Sequence, residues 1–299
     1  MLRPFFLEEP ETVQEASALL ARYGESAKIY AGGTELLLAM KESLLRSERL
    51  INIKKISSMD QVKEEDGLFR IGALVTHRKL EDNAILGKRL SAWVTLEQNV
   101  ANVRIRGVGT IGGNLCFAEP HSDPGVLLVA LNASVILEKG SSRREIPMEN
   151  FFLDAFETSL QPDEILTEIR VPMPPPEASV RYLKFGHLER PSAGVALYLR
   201  FDPGKKTIAE ARVAVGSVGP RPRRVDEAGD LLRGMPVNQS ADHIARAGVI
   251  AGRASEAVGD IHGPADYKEH IVQVLLKRAF HSACRQNWLG DESEGGVRV

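Results

Sequence analysis

The sequence predicts a protein of mixed helix and strand in two domains, and three observations carry that expectation. The chain opens as helix, strand, glycine turn and helix, which is how α/β units begin. Strand-like alternation interleaved with amphipathic helices then continues to about residue 171. The segment Pro172-Met173-Pro174-Pro175-Pro176 interrupts it. Four of its five residues lack an amide hydrogen and have φ fixed, so neither regular structure passes through. A length of 299 residues agrees with about two domains. The expected division is 1–175 and 176–290, with a disordered tail over 291–299.

The elements follow from local signals. Thr12 with Glu15 three residues later is a capping box that opens a helix over 13–22, and Gly24 closes it. A strand over 27–31 runs into Gly32-Gly33-Thr34, and a short helix over 35–41 follows. Residues 50–53 and 68–73 alternate as strands, and Thr76 caps the short helix that carries Leu80. A helix over 90–100 leads through Val103-Arg104-Ile105-Arg106 to a second glycine-rich turn, 107–114. Asp123 at the N-cap and Pro124 at the first position open a helix reaching Leu131. Strands are expected over 133–137 and up to Val171. Beyond the prolines, strands over 193–201 and 207–218 flank the turn Asp202-Pro203-Gly204-Lys205. Helices are expected over 225–233, 241–258 and 266–288.

Composition excludes several classes of function. With 43% hydrophobic and 26% charged residues the chain is neither disordered nor fibrous. Lys and Arg number 38 against 40 Asp and Glu, so no excess charge drives binding to nucleic acid or to an anionic membrane. Cys116 and Cys284 are the only cysteines, which excludes a disulfide framework and a self-contained iron–sulfur cluster, which needs four thiolates. The opening residues carry acids and prolines where a secretory leader needs an apolar run, so the expected location is cytoplasmic. The apolar stretch around 126–131 is far shorter than the ~20 residues that cross a bilayer, so membrane insertion is not expected.

The chemistry concentrates in the two glycine turns. Without a Cβ the backbone adopts positive φ and approaches a ligand closely, so successive amides can form a nest for an anion such as phosphate. Ala31-Gly32-Gly33-Thr34-Glu35 stands between a strand and a helix start, where the helix dipole adds attraction. Tight geometry alone explains glycine there equally well. The run Gly107-Val108-Gly109-Thr110-Ile111-Gly112 satisfies GxGxxG, but a Rossmann site requires a helix directly behind the loop. Residues 113–120, broken by Pro120, leave too little room for it. The expected alternative is an extended turn, Thr110-Ile111-Gly112-Gly113-Asn114, offering free amides, a hydroxyl and a carboxamide. A dinucleotide diphosphate would lie between the two turns, held by bonds contributing roughly 1.5–3 kcal/mol each. Ser122 and Asp123 close the segment, Asp123 being readable also as a plain helix cap.

These residues resemble the motifs of a known family. Ala31-Gly32-Gly33-Thr34-Glu35-Leu36, Ile71-Gly72-Ala73 with Thr76, Thr110-Ile111-Gly112-Gly113-Asn114 and Ser122-Asp123 are similar, in order, to those of the FAD-binding medium subunit of molybdenum hydroxylases, the xanthine dehydrogenase and carbon monoxide dehydrogenase type. Val218-Gly219-Pro220-Arg221-Pro222, Tyr267 and Arg278-Ala279 resemble that family's C-terminal domain. The resemblance implies an α+β fold: a two-lobed FAD-binding domain of the vanillyl-alcohol oxidase type, lobes about 1–56 and 57–175, then three antiparallel strands and a helical bundle. It implies FAD contacts at Tyr30, Ala31, Gly32, Gly33, Thr34, Glu35 and Leu36, and at Val100, Gly109, Thr110, Gly113 and Asn114. Ser122 and Asp123 would lie near the adenosine half, Leu166 and Lys184 near the cofactor, with Lys184 the candidate beside the flavin ring. The stretch His187-Leu188-Glu189-Arg190-Pro191-Ser192 departs from the family's pattern. No catalytic residue and no metal ligand are expected on this chain.

The implied role is electron transfer in a heterotrimer. A molybdopterin-containing large subunit oxidises the substrate, a [2Fe-2S] small subunit relays electrons, and FAD on this chain hands them to an acceptor such as NAD or quinone. A self-sufficient NAD(P)-linked flavin reductase and a non-redox scaffold subunit are the rival readings. The seven histidines show no metal-ligand spacing, and His121, beside the second turn, reads as a loop residue.

Overall fold

The computed structural model describes residues 2–186 and 190–289. The expected tail, and His187, Leu188 and Glu189 of the divergent stretch, lie outside the described residues. Strand β1 (Phe6–Glu8), helix α1 (Val13–Tyr23), β2 (Ala27–Tyr30), α2 (Leu36–Lys41) and β3 (Arg49–Asn52) form the first lobe, a parallel sheet of order β1-β3-β2. Helix α1 begins as its capping signal requires. Thr12 Oγ1 accepts from the Glu15 amide at 3.1 Å, the Glu15 carboxylate accepts from the Glu11 amide, and Gly24 closes the helix at φ 54°.

The second lobe starts with β4 (Val62–Glu65) and β5 (Leu68–Gly72). Helices α3 (His77–Glu81), α4 (Ala84–Arg89), α5 (Ser91–Gln98), α6 (Val103–Val108), α7 (Ile111–Phe117) and α8 (Pro124–Ala130) follow. Then come β6 (Ser134–Lys139), β7 (Ser142–Pro147), the small hairpin β8 (Phe152–Asp154) and β9 (Glu157–Thr158), and β10 (Ile165–Pro172). Its sheet is antiparallel, of order β4-β5-β10-β6-β7. Every residue of α8 is buried, as a helix apolar on all sides must be.

The C-terminal part pairs β11 (Ala178–Phe185), β12 (Ala193–Phe201), β13 (Ile208–Gly216) and β14 (Arg223–Arg224), with α9 (Asp226–Asp230), α10 (Ala241–Arg253) and α11 (Ala265–Leu289). The sheet has four strands where three were expected, because two residues after the second hairpin pair with β13. Side-chain alternation divides β12 between two cores. Val195, Leu197 and Leu199 join α10 and α11 in one, while Ala196 and Tyr198 face α8 and the second lobe in the other. That shared strand fixes the C-terminal sheet against the second lobe.

Three expectations from sequence are corrected. The helix placed over 90–100 is α5 alone, ending at Gln98, and a separate, unexpected helix, α4, precedes it with Leu90 between them. Helices 225–233 and 241–258 are shorter, ending at Asp230 and Arg253. The run 111–114 is not an extended turn but the start of α7, seven residues long and finished before Pro120.

Candidate functional site

A cavity of about 490 Å³ lies where the β2–α2 turn meets the α6–α7 turn, a volume within the range of small-molecule sites. The two turns touch. A Cβ on Gly32 would lie 2.8 Å from Gly109 Cα and 3.1 Å from the Thr110 nitrogen, and closer still to the Val108 carbonyl oxygen, so only glycine permits this approach. Gly33 has φ 76°, and its missing Cβ leaves room for the ring of Tyr30.

The backbone donors of the two turns differ. The amides of Gly32, Gly33 and Thr34 have no hydrogen-bond partner among the described residues, nor does that of Thr110. The α7 amides are already engaged: Ile111 donates to Val75 O and Gly112 to Ala73 O, each at 2.9 Å, and Gly113 donates to Thr110 Oγ1 at 3.1 Å. The free amides expected over 111–113 are therefore consumed by β5's flank and by the helix cap. Asn114 contributes its side chain instead, since Ser122 Oγ donates to its Oδ1 at 2.7 Å, leaving the NH₂ for the cavity.

Of the residues expected at the site, Ala31, Gly32, Gly33, Thr34, Glu35, Leu36, Val100, Gly109, Thr110, Gly113, Asn114, Ser122, Asp123 and Leu166 line this cavity. Tyr30 and Lys184 do not. Tyr30 supports the turn from behind, its ring against Gly33 and the Lys54 ammonium 4.0 Å from its centroid. Lys184 is neither a solvated lysine nor a wall residue: its ammonium donates to Asp123 Oδ2 at 2.6 Å and to Asn99 O at 2.8 Å.

Asp123 occupies the N-cap position of α8 without making a cap bond. Its carboxylate accepts from the Tyr182 hydroxyl at 2.5 Å and from Lys184, both on β11. Burial pushes its pKa up, against the pull of the Lys184 charge and the two hydrogen bonds. Burial and the Asp123 charge raise the Tyr182 hydroxyl well above the usual tyrosine value, so it stays a proton donor. One wall of the cavity is thus tied to the C-terminal sheet.

Among the wall residues that sequence reasoning missed are three with ionisable side chains close to the turns. His121 is more than a loop residue: its ring lies 3.0 Å from Glu119 Oε1 and 3.2 Å from Asp260 Oδ2, bridging to the C-terminal core, and its hydrogen bond to Glu119 raises its pKa. Cys116 borders the cavity with its thiol pushed up to about 12 by burial, so it serves as an apolar wall and not as a nucleophile. His77, 2% exposed, holds Glu97 Oε2 through Nδ1 at 2.7 Å, and Trp93 Nε1 donates to the other oxygen of Glu97 at 2.8 Å. Thr76 signals the helix start at His77; nothing in the local pattern signals Glu97.

Open amides beside a glycine crossing suit an anionic diphosphate, and Leu160, Ile165, Leu166 and Ile53 give an apolar stretch for a ring system. Residues 3–174 match the family described as FAD binding domain in molybdopterin dehydrogenase, and residues 180–283 the family described as CO dehydrogenase flavoprotein C-terminal domain. The chain is 32% identical over 286 residues to the carbon monoxide dehydrogenase medium chain of Hydrogenophaga pseudoflava, covering 95% of this chain and 98% of that one. It is 26% identical over 280 residues to the xanthine dehydrogenase FAD-binding subunit of Escherichia coli O157:H7, covering 91% and 93%. A solved carbon monoxide dehydrogenase from Hydrogenophaga pseudoflava, lacking the Mo-pyranopterin moiety of its cofactor, contains a chain that superposes with a TM-score of 0.91 at 31% identity, over 96% of this chain and 99% of that one. With both its cores matched and a cavity suited to a dinucleotide, this chain belongs to the FAD-binding family of molybdopterin dehydrogenases, an oxidoreductase subunit whose cofactor is FAD.

Proposed function

We propose that this chain is the electron-transfer flavoprotein of a molybdenum hydroxylase, taking electrons from iron–sulfur clusters of a small partner subunit and passing them to an external acceptor. A molybdopterin-containing large subunit oxidises the substrate, and NAD or a quinone is the acceptor class. The observation that carries the reading is the contact of the two glycine turns at one cavity with open amides. In this reading the amides of Gly32, Gly33, Thr34 and Thr110 and the Asn114 side chain hold the diphosphate. The apolar wall around Leu166 excludes water from the ring. Lys184 acts on the site through Asp123, which it holds in place. FAD supplies, when bound, exchange of electrons one or two at a time. The proposed division at 175/176 puts every lining residue but Arg190 in the first domain, with Arg190 and the Lys184 and Tyr182 support in the second. Two free cysteines agree with a reducing cytoplasm, and no helix among the described residues is long and apolar enough to cross a membrane.

The test is direct. FAD added to the purified chain should survive desalting and, at about 100 times Kd, stabilise it by roughly 2.7 kcal/mol in thermal melting. A colourless protein with an unmoved melting temperature would refute the flavoprotein reading and leave the scaffold. If FAD binds, mixing with the reduced iron–sulfur partner should bleach the flavin absorbance. Direct reduction by NADH, with none by the partner, would favour the self-sufficient reductase.

A further inference from the structure

His77 stands where the two turns cross, and only one side of its ring is occupied. Its backbone amide donates to Gly109 O at 3.0 Å, so α3 and the second turn share one anchor. Its Nδ1 faces Glu97, a carboxylate with no exposure that is also held by Trp93. A carboxylate in that place fixes the ring and requires Nδ1 to carry hydrogen. The opposite edge points the other way: Cδ2, the neighbour of Nε2 in the ring, is 3.4 Å from where a Cβ of Gly109 would sit. His77 lines the cavity, and Nε2 has no hydrogen-bond partner among the described residues. Nε2 is not one of the fully enclosed unpaired polar atoms of the described residues, so on a side chain otherwise buried and fixed it opens onto the cavity and is available to a partner that enters there.

We propose that Nε2 of His77, the accepting nitrogen when Nδ1 carries the hydrogen, takes a hydrogen bond from a hydroxyl of the bound cofactor's chain next to the diphosphate at the glycine crossing, with Glu97 and Trp93 acting as positioning residues that hold the imidazole. This inference rests on the flavoprotein reading above and adds a second side-chain contact, beside Asn114, to a cradle of backbone amides. It also gives the buried Glu97 a reason: it orients a ring, as carboxylates orient metal-bound or catalytic histidines elsewhere.

Asparagine and glutamine at position 77 separate the two ring nitrogens, because an asparagine amide reaches about as far as Nδ1 and a glutamine amide about as far as Nε2. FAD affinity of the full chain is measured by titration for wild type, His77→Asn and His77→Gln, with melting temperatures of the FAD-free proteins alongside. The expected result is a 10- to 100-fold loss of affinity in His77→Asn with little change in the FAD-free melting temperature, partial recovery in His77→Gln, and a shift of the His77 Nε2 resonance in ¹⁵N spectra of the wild type on adding FAD. Unchanged affinity in His77→Asn, or an Nε2 resonance that FAD does not move, overturns the proposal. A loss of affinity matched by an equal fall in the FAD-free melting temperature in both variants also overturns it, since His77 would then be structural. Wild type that binds FAD while His77→Asn binds it equally well sinks this inference alone; wild type that binds none sinks the flavoprotein reading.

Discussion

The two glycine turns look alike in sequence and use glycine for different reasons. In the β2–α2 turn the glycines make a surface: Gly32 allows contact with Gly109, and three consecutive amides stay open. In the α6–α7 turn they make packing. A Cβ on Gly112 would sit 2.5 Å from Ala73 Cβ, and the amides of 111–113 are already bonded. The first turn is built to receive a ligand, whereas the second is built to bring a helix start against β5. Only Gly113, whose added Cβ would meet nothing but Thr110 Oγ1 at 2.9 Å, borders the cavity without a packing duty.

That contrast can be broken by substitution. The largest effect is expected at Gly32. Valine there collides with the backbone of the second turn, so Gly32→Val should lose FAD by more than about 100-fold and melt lower, because overpacking costs about 1–3 kcal/mol. Desalting followed by flavin absorbance measures the first effect, and calorimetry the second. Retained flavin would show that the turns part without consequence.

Next come the paired changes at 112 and 113. Gly112→Val should destabilise the FAD-free chain by about 2–3 kcal/mol through its clash with Ala73. Gly113→Val should abolish cofactor retention with the circular dichroism nearly unchanged. Equal effects at the two positions would erase the distinction drawn between packing and cavity glycines.

A smaller effect is expected at Thr110, whose hydroxyl caps α7. Thr110→Ala should cost about 1 kcal/mol of stability, seen as a lower melting temperature, and weaken FAD binding less than Gly113→Val does. The smallest concerns His121, just beyond α7, which ties this turn to the C-terminal core. Its pKa is raised chiefly by the hydrogen bond to Glu119, with Asp260 adding to it against burial. The histidine charge therefore stabilises the fold fully below the free value of 6.5, and that contribution is lost as pH rises through the higher folded value. His262, its ring centroid 4.8 Å away and its plane tilted by 51°, and Lys268, 2.7 Å from Asp260, share the cluster. Melting curves from pH 6 to 9 should fall less steeply for His121→Asn than for wild type.

The order of elements was readable because capping, periodicity and turn chemistry are local. Thr12 with Glu15, Thr76 and Pro124 each mark a helix start that the structure contains. The α7 helix differs from expectation for a local reason as well: Pro120 ends the run early, and two glycines argue against helix, yet Thr110 capping and the bonds of the Ile111 and Gly112 amides to Val75 and Ala73, just past β5, suffice for seven residues. Lys184 illustrates the other limit. As one lysine on a strand it carries no sign of Asp123, which lies 61 positions away.

By itself the sequence determined where the chain can bend without side chains, which residues begin helices, and the ordered motifs by which a flavin family is recognised. Only the tertiary structure decided which amides remain open, since those of 111 and 112 are taken by Val75 and Ala73. It also decided that His77 is gripped on one side by Glu97 and that Asp123 is held from β11. The physical reason is that a hydrogen bond between residues far apart in the chain leaves no periodicity or spacing behind it. Whether a donor is spent or available is settled when the sheets and helices pack.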